Sequence, residues 1–284
     1  MGPTAAPRPE RPRRGAADAR GHLPRAGGIG GDTMTAVALT GRRVRLEQKA
    51  FWRNPEAAFF TFILPVVLVV VEGFMNHGDH LRDGTRTVVM LVPGILAFGL
   101  IATNYGNLAA TIAILRDQGV LKRIRATPLP PWVFLAGQIG SSLLVSLLMT
   151  IVVVTTGTLL FGVHLPPARV PALLAVVAVG SACFCALGLA LSGFIRHAQS
   201  AGAITNASYI PLSLVSGVFF PFQHRPGWLL RATGLFPVGR LADALRAPFL
   251  GKSVSATGLL LMGAWAVLGA AVAARCFRWT KAAA

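Results

Sequence analysis

The chain has 284 residues, 54% of them hydrophobic and 13% charged, with a formal charge of +17 and a mean hydropathy of +0.61. A soluble domain carries about 25% charged residues, so this deficit excludes an ordinary soluble protein and points to the membrane. The basic excess sits in the N-terminal stretch and beside apolar runs, which suits anionic headgroups; with no zinc-finger spacing or aromatic-and-basic RNA-binding pattern, nucleic acid is not an expected partner.

Residues 1–40 are expected to form a disordered basic tail, ahead of a membrane domain over 41–284. Residues 1–33 are rich in Arg, Pro, Gly and Ala and contain no apolar run of signal-peptide length. Organised sequence begins after Met34, which is therefore expected to be the translation start; an intact mass beginning at Met1 would refute that. Residues 41–56 are basic and amphipathic. Val44, Phe51 and Trp52 give the apolar side, Arg42, Arg43, Arg45, Lys49 and Arg53 reach toward headgroups, and Asn54-Pro55 marks a bend.

Six apolar stretches follow, at 57–74, 87–113, 133–161, 170–195, 200–221 and 256–277. Each is near or above the roughly 20 residues that a helix needs to cross ~30 Å of hydrocarbon. An open chain can satisfy its backbone there only as helix, so the predicted fold is an all-α integral membrane protein with six transmembrane helices. The second stretch reads as broken, with Pro93 and Gly94 early and Asn104 and Asn107 in its middle. Eleven Lys and Arg precede the first stretch and four lie at 114–131, against two at 75–86 and one at 162–169. That bias puts both termini and the 114–131 loop in the cytoplasm. Residues 222–255 carry five basic residues yet fall outside in this topology, where the rule weakens because the segment is long.

The loop at 114–131 is the only strongly basic, helix-capable island between the long apolar stretches. Val120, Leu121 and Ile124 share a helical face, Lys122, Arg123 and Arg125 flank it, and Thr127-Pro128-Leu129-Pro130-Pro131 stops the helix. These residues alone allow two readings, a docking element for a cytoplasmic partner or a basic loop that fixes topology. Residues 216–249 form the second unusual stretch. Pro221, Pro226 and Pro237 cut it into pieces too short to span, while Trp228, Leu229, Leu230, Leu241 and Leu245 are apolar enough to dip into a leaflet, as in a re-entrant hairpin. Asp243 has Arg240 and Arg246 three residues to either side, a spacing for local ion pairs.

In order and spacing these pieces resemble the membrane subunit of type-2 ATP-binding-cassette (ABC) exporters, over residues 41–280. The basic stretch ending in Arg53-Asn54-Pro55 is similar to the family's elbow helix. The run Arg116-Asp117-Gln118-Gly119-Val120-Leu121-Lys122-Arg123-Ile124-Arg125-Ala126-Thr127-Pro128 is similar to its cytoplasmic coupling helix, with Asp117-Gln118 where a glutamate is more usual. The run Ser216-Gly217-Val218-Phe219-Phe220-Pro221, with Phe236-Pro237 and Ala242–Arg246, resembles its extracellular re-entrant hairpin between spans five and six. The loop reads most like the drug-resistance branch. The resemblance implies a multi-pass plasma-membrane permease in a homodimer, coupled to two copies of an ABC ATPase subunit and exporting hydrophobic or amphipathic, antibiotic-like compounds. Arg116, Asp117, Gly119, Leu121, Lys122, Arg123, Ile124 and Arg125 would then couple to the ATPase. ATP and magnesium would be bound by that partner, with no cofactor on this chain. Export of a lipid-linked glycan or lipid is the alternative within the family.

Gly251-Lys252-Ser253 does not complete a phosphate-binding loop, because Arg246 stands where the motif needs glycine. The chain is accordingly expected not to be an enzyme. Asn104, Asn107 and Thr111 of the second stretch, with Thr205, Asn206, Ser208 and Tyr209 of the fifth, are the clearest intramembrane polar groups. They fit either a translocation path or subunit seam, or interhelical hydrogen bonds worth about 0.6 kcal/mol each. Glu72 is the only acid within a predicted span and can reach the interface, which argues against an ion-coupled transporter. Without His-Glu-x-x-His or clustered intramembrane acids a membrane-embedded enzyme fares no better. Residues 76–80 read as a solvated turn, and no metal site is expected.

Overall fold

A computed structural model describes residue 2 and residues 29–81, 84–126, 130–219 and 234–277, with the backbone alone over 29–36. The described residues are helical almost throughout; their one β feature is a single bridge between His80 and Arg86. Helix α1 (Ile29–Trp52) is followed by Asn54, whose side chain caps the next helix by accepting from the Ala57 amide at 3.3 Å. Pro55 occupies the first turn of α2 (Pro55–Met75), where its missing N–H leaves nothing unsatisfied. Residues 29–40, expected to be disordered, belong to α1. No proline falls between Pro24 and Pro55, and Met34, Ala36, Ala38 and Leu39 continue a helix readily.

The second apolar stretch forms α3 (Thr87–Ile101), a π-helical turn (Ala102–Asn107) and α4 (Leu108–Asp117) in one interrupted rod. Next come α5 (Val120–Arg125), α6 (Pro131–Phe161), α7 (Val170–Ser192), α8 (Ala198–Val215), α9 (Pro237–Phe249) and α10 (Ala256–Cys276). Buried residues line α3 almost without interruption from Leu91 to Ile101, with α2, α6, α7 and α9 packed around it. Helices buried on every side are the mark of an interior span. By contrast α2 presents Phe59, Phe60, Leu64, Val67 and Phe74 outward, and α10 presents Leu260, Val267 and Leu268. Apolar side chains outward and polar ones inward suit a bilayer as solvent.

Five helical stretches are long and apolar enough to cross a membrane: Pro55–Met75, Thr87–Asp117, Trp132–Phe161, Pro167–Ser192 and Ala256–Cys276. The stretch expected at 200–221 is helix α8, whose 18 residues reach about 27 Å. Gln199, Ser200, Thr205, Asn206 and Ser208 leave it too polar to match the other five. It packs chiefly on α4 and the π turn, at the edge of the bundle.

Of the expected hairpin, Phe220 to Thr233, with its Trp228-Leu229-Leu230 run, lie outside the described residues, while α9 lies inside. Arg246, on α9, is buried and donates from Nη2 to the carbonyls of Gly217 (2.8 Å) and Val218 (3.0 Å) and from Nε to that of Met90 (3.3 Å). Its Nη1 lies 3.6 Å from the Asp243 carboxylate, whereas Arg240 turns away and donates to the Gly234 carbonyl at 2.8 Å. This clasp draws residue 218 onto α3 so closely that a β-carbon at Gly94 would overlap the Val218 carbonyl oxygen. Gly94→Ala should therefore destabilise the protein by about 1–3 kcal/mol, read as a lowered melting temperature in nanodiscs, with the α5 end of the bundle unaffected.

Candidate functional site

Two polar regions interrupt the apolar bundle. The first is centred on the π turn. A wide turn of this kind re-aims side chains and recurs at functional sites. Asn104 and Asn107 are three residues apart and would share a face of an α-helix. Here Asn104 is 0% exposed and Asn107 is exposed. Asn104 Nδ2 donates to the Leu100 carbonyl (2.8 Å), Ser146 Oγ of α6 (2.8 Å) and Ser181 Oγ of α7 (3.3 Å), and its Oδ1 accepts from Cys185 Sγ at 3.4 Å. Its hydrogen-bonding capacity is spent on joining three helices. Gly188 permits that approach, since a β-carbon there would crowd the Asn104 and Tyr105 carbonyl oxygens.

The other intramembrane polar residues divide in the same way. Thr205 is buried and donates to the Gly202 carbonyl of its own helix at 3.0 Å, while Tyr209 is buried with its ring against Phe98 and Tyr105. The hydroxyls of Tyr105 and Ser208 share a hydrogen bond at 3.0 Å, tying the π turn to α8. Asn206 is exposed on the outer face of α8. Asn107 and Thr111, both exposed, face a cleft of about 240 Å³ between the end of α1, the start of α2, the second span and α6.

Sequence reading missed the far wall of that cleft, where α1 lies along α6. Gly137 and Gly140 leave room for Arg43 and Val44, and Gln48 Nε2 donates to the carbonyl and hydroxyl of Ser141 at 2.9 and 3.0 Å. Arg43 pairs with Glu47 and stacks over the Phe134 ring at 4.8 Å. Burial pushes the Glu47 carboxyl above its ordinary range, with Arg43 and Gln138 pulling the other way. Gln138, Ser141 and Ser142, polar residues spaced along an otherwise apolar span, were the available signal.

The second region is the turn from α4 to α5. Gly119 makes it, with a left-handed φ of 71° that costs other residues strain. Arg116 is only 4% exposed and donates to the carbonyls of Ser192 (2.9 Å) and Ile195 at the end of α7. Asp117 Oδ2 accepts from the Ala198 amide at 2.7 Å, holding the first turn of α8. Leu121 is 0% exposed and packs with Leu108, Phe134 and Leu189, and Ile124 is half-buried against the same cluster. The outward groups are Lys122, Arg123 and Ala126. Side-chain placement at Arg125, and the Thr127-Pro128-Leu129 part of the helix stop, fall outside the described residues. Among the described residues no cluster of three metal-ligating side chains occurs.

A bundle of apolar helices joined by inward polar groups is the architecture of a helical membrane protein. The ABC-2 type transporter family matches residues 41–250, three quarters of the chain, and the protein belongs to that family. Similar proteins include the "Putative transport permease YvfS" of Bacillus subtilis (strain 168), 25% identical over 181 residues that cover 63% of this chain and 73% of that one. The "Inner membrane transport permease YadH" of Escherichia coli (strain K12) is 23% identical over 195 residues, covering 66% and 75%. The chain is thus a multi-pass membrane permease.

Two outcomes test these placements. Asn104→Leu should lower stability by about 1–3 kcal/mol, because Ser146 and Ser181 lose a shared partner, and thermal unfolding in nanodiscs would register it. Leu121→Asp buries a carboxylate in an apolar cluster and should abolish folded protein in membranes, as judged by size-exclusion recovery.

Proposed function

We propose that this permease is the membrane subunit of an ATP-driven exporter whose ATP hydrolysis is carried out by a separate ABC ATPase. The observation that carries the reading is the turn at Gly119. Arg116 and Asp117 fasten α4 to the α7–α8 connection, so α5 cannot tilt without moving the ends of three other helices. A six-residue helix held in that way transmits a push instead of absorbing it. Lys122 and Arg123 face outward at its surface, so the partner's docking surface is acidic or rich in carbonyl acceptors. Ile124 contributes at the rim, and Leu121 acts by holding the helix in place.

In this reading α8 is the sixth membrane crossing, α1 is the elbow at the cytoplasmic surface, α9 belongs to an extracellular re-entrant hairpin, and both termini are cytoplasmic in the plasma membrane. Two copies pair and engage two ATPases. The outer face of α8, with Gly202, Ala203 and Asn206 exposed, admits close approach of a second α8. The cargo is a hydrophobic or amphipathic compound, antibiotic-like in the first instance. The polar cleft by Asn107 and Thr111 favours the alternative of a lipid or lipid-linked glycan.

The test is co-purification with an ABC ATPase from the same genome, co-expressed with this chain, and vanadate-sensitive ATP turnover in nanodiscs. Lys122→Glu with Arg123→Glu should weaken assembly at least about tenfold at low salt and abolish the further loss that added salt causes in the parent, with the melting temperature of the permease unchanged. Full assembly and turnover by that variant would remove α5 from the docking role.

A further inference from the structure

The cleft between α1, α2, the second span and α6 has no role in the docking or bundling described above. Its lining is mixed. Gln138, 5% exposed, reaches toward Glu47, yet its Nε2 has no partner in full hydrogen-bond geometry. Asn107, Thr111 and Ser142 add amide and hydroxyl groups to the same lining, and Phe51, Leu108 and Val145 give it an apolar wall. The amide carries two N–H donors, so beside the one directed at Glu47 it has a donor to offer an acceptor in the cleft. The cleft runs from Asn54, at the α1–α2 junction, to Thr103 and Val145, roughly midway along their spans.

Size and charge narrow the ligand. At about 240 Å³ the space is below the roughly 300–1,000 Å³ of drug-sized pockets, so it takes a head group and leaves a tail to the bilayer. An anionic head would find no Lys or Arg among the lining residues. A cationic head would find that carboxylate already paired with Arg43. Hydroxyls both donate and accept, which matches a lining of amides and hydroxyls better than either ion does. We propose that this cleft binds the neutral, hydroxyl-rich head of an amphiphile, a sugar or glycerol group whose apolar tail lies along α2 and α6. The inference concerns binding by the permease alone; the identification of that amphiphile as cargo rests on the exporter reading.

The experiment uses the full chain in nanodiscs doped with a photoreactive glucosyl diacylglycerol, and cross-links are mapped by peptide mass spectrometry. The label should concentrate on peptides carrying residues 47–57 and 138–145. Unlabelled glucosyl diacylglycerol should compete, and phosphatidylserine or a cationic lipid should not. Gln138→Leu, and separately Asn107→Leu at an exposed position that leaves the fold intact, should each reduce labelling about tenfold. Label spread evenly over the spans, equal competition by a charged lipid, or labelling unchanged in both variants would overturn the proposal. Adding the partner ATPase with ATP and magnesium separates the sources. Label lost during turnover identifies a transported head, and label retained while ATP is hydrolysed identifies a resident lipid.

Discussion

Every backbone carbonyl inside hydrocarbon must find a donor within the protein, and the second span meets that demand while changing its helical register halfway. A wide turn inserted at Ala102–Asn107 would leave a weak point in the most buried rod of the bundle. Asn104 turns the weak point into a joint. Its amide reinforces the Leu100 carbonyl and reaches Ser146 and Ser181 on the flanking helices, so the irregular turn is held from both sides. Lipid offers no competing partner to these groups, which is why a few polar side chains can fix the relative positions of α3, α6 and α7. The re-aimed face beyond the turn then carries Asn107 and Thr111 to the cleft beside α1.

The same logic operates at the α5 end. A short helix is a poor structural unit alone, since six residues form too few hydrogen bonds to offset the cost of nucleation. What makes α5 definite is its surroundings: Gly119 sets the turn, Leu121 is sunk among Leu108, Phe134 and Leu189, and Arg116 and Asp117 tie the base to the neighbouring loop. Apolar and anchoring groups face inward, and the charges are left for a partner.

Much of the architecture was legible in the sequence because lipid is an unforgiving solvent. Five spans came out near their observed bounds, and the break in the second was visible in Pro93, Gly94 and two asparagines. What could not be read was direction. Leu121 and Ile124 share a helical face in any helix, but periodicity cannot say whether that face meets the bundle or a partner, and burial decides for the bundle at Leu121 while leaving Ile124 half-exposed. Asn104 and Asn107 likewise share a face by periodicity, and the π turn separates them. The sequence gives no sign that Arg116 and Asp117 anchor the turn, because their acceptor and donor lie some 80 residues away in the α7–α8 connection. The polarity of α8 shows the opposite limit, where a length that nearly spans a bilayer is undercut by composition.

Both load points of the bundle are fastened by a buried arginine that grips main-chain carbonyls: Arg116 on Ser192 and Ile195, and Arg246 on Met90, Gly217 and Val218. A carbonyl is present whatever residue bears it. These fastenings are therefore indifferent to side-chain identity on the acceptor side and wholly dependent on it on the donor side. Sequence drift can proceed freely at residues 90, 195 and 218, as far as these bonds are concerned, without loosening either end. Lysine, with a single point of charge in place of a planar fork, cannot substitute for either arginine.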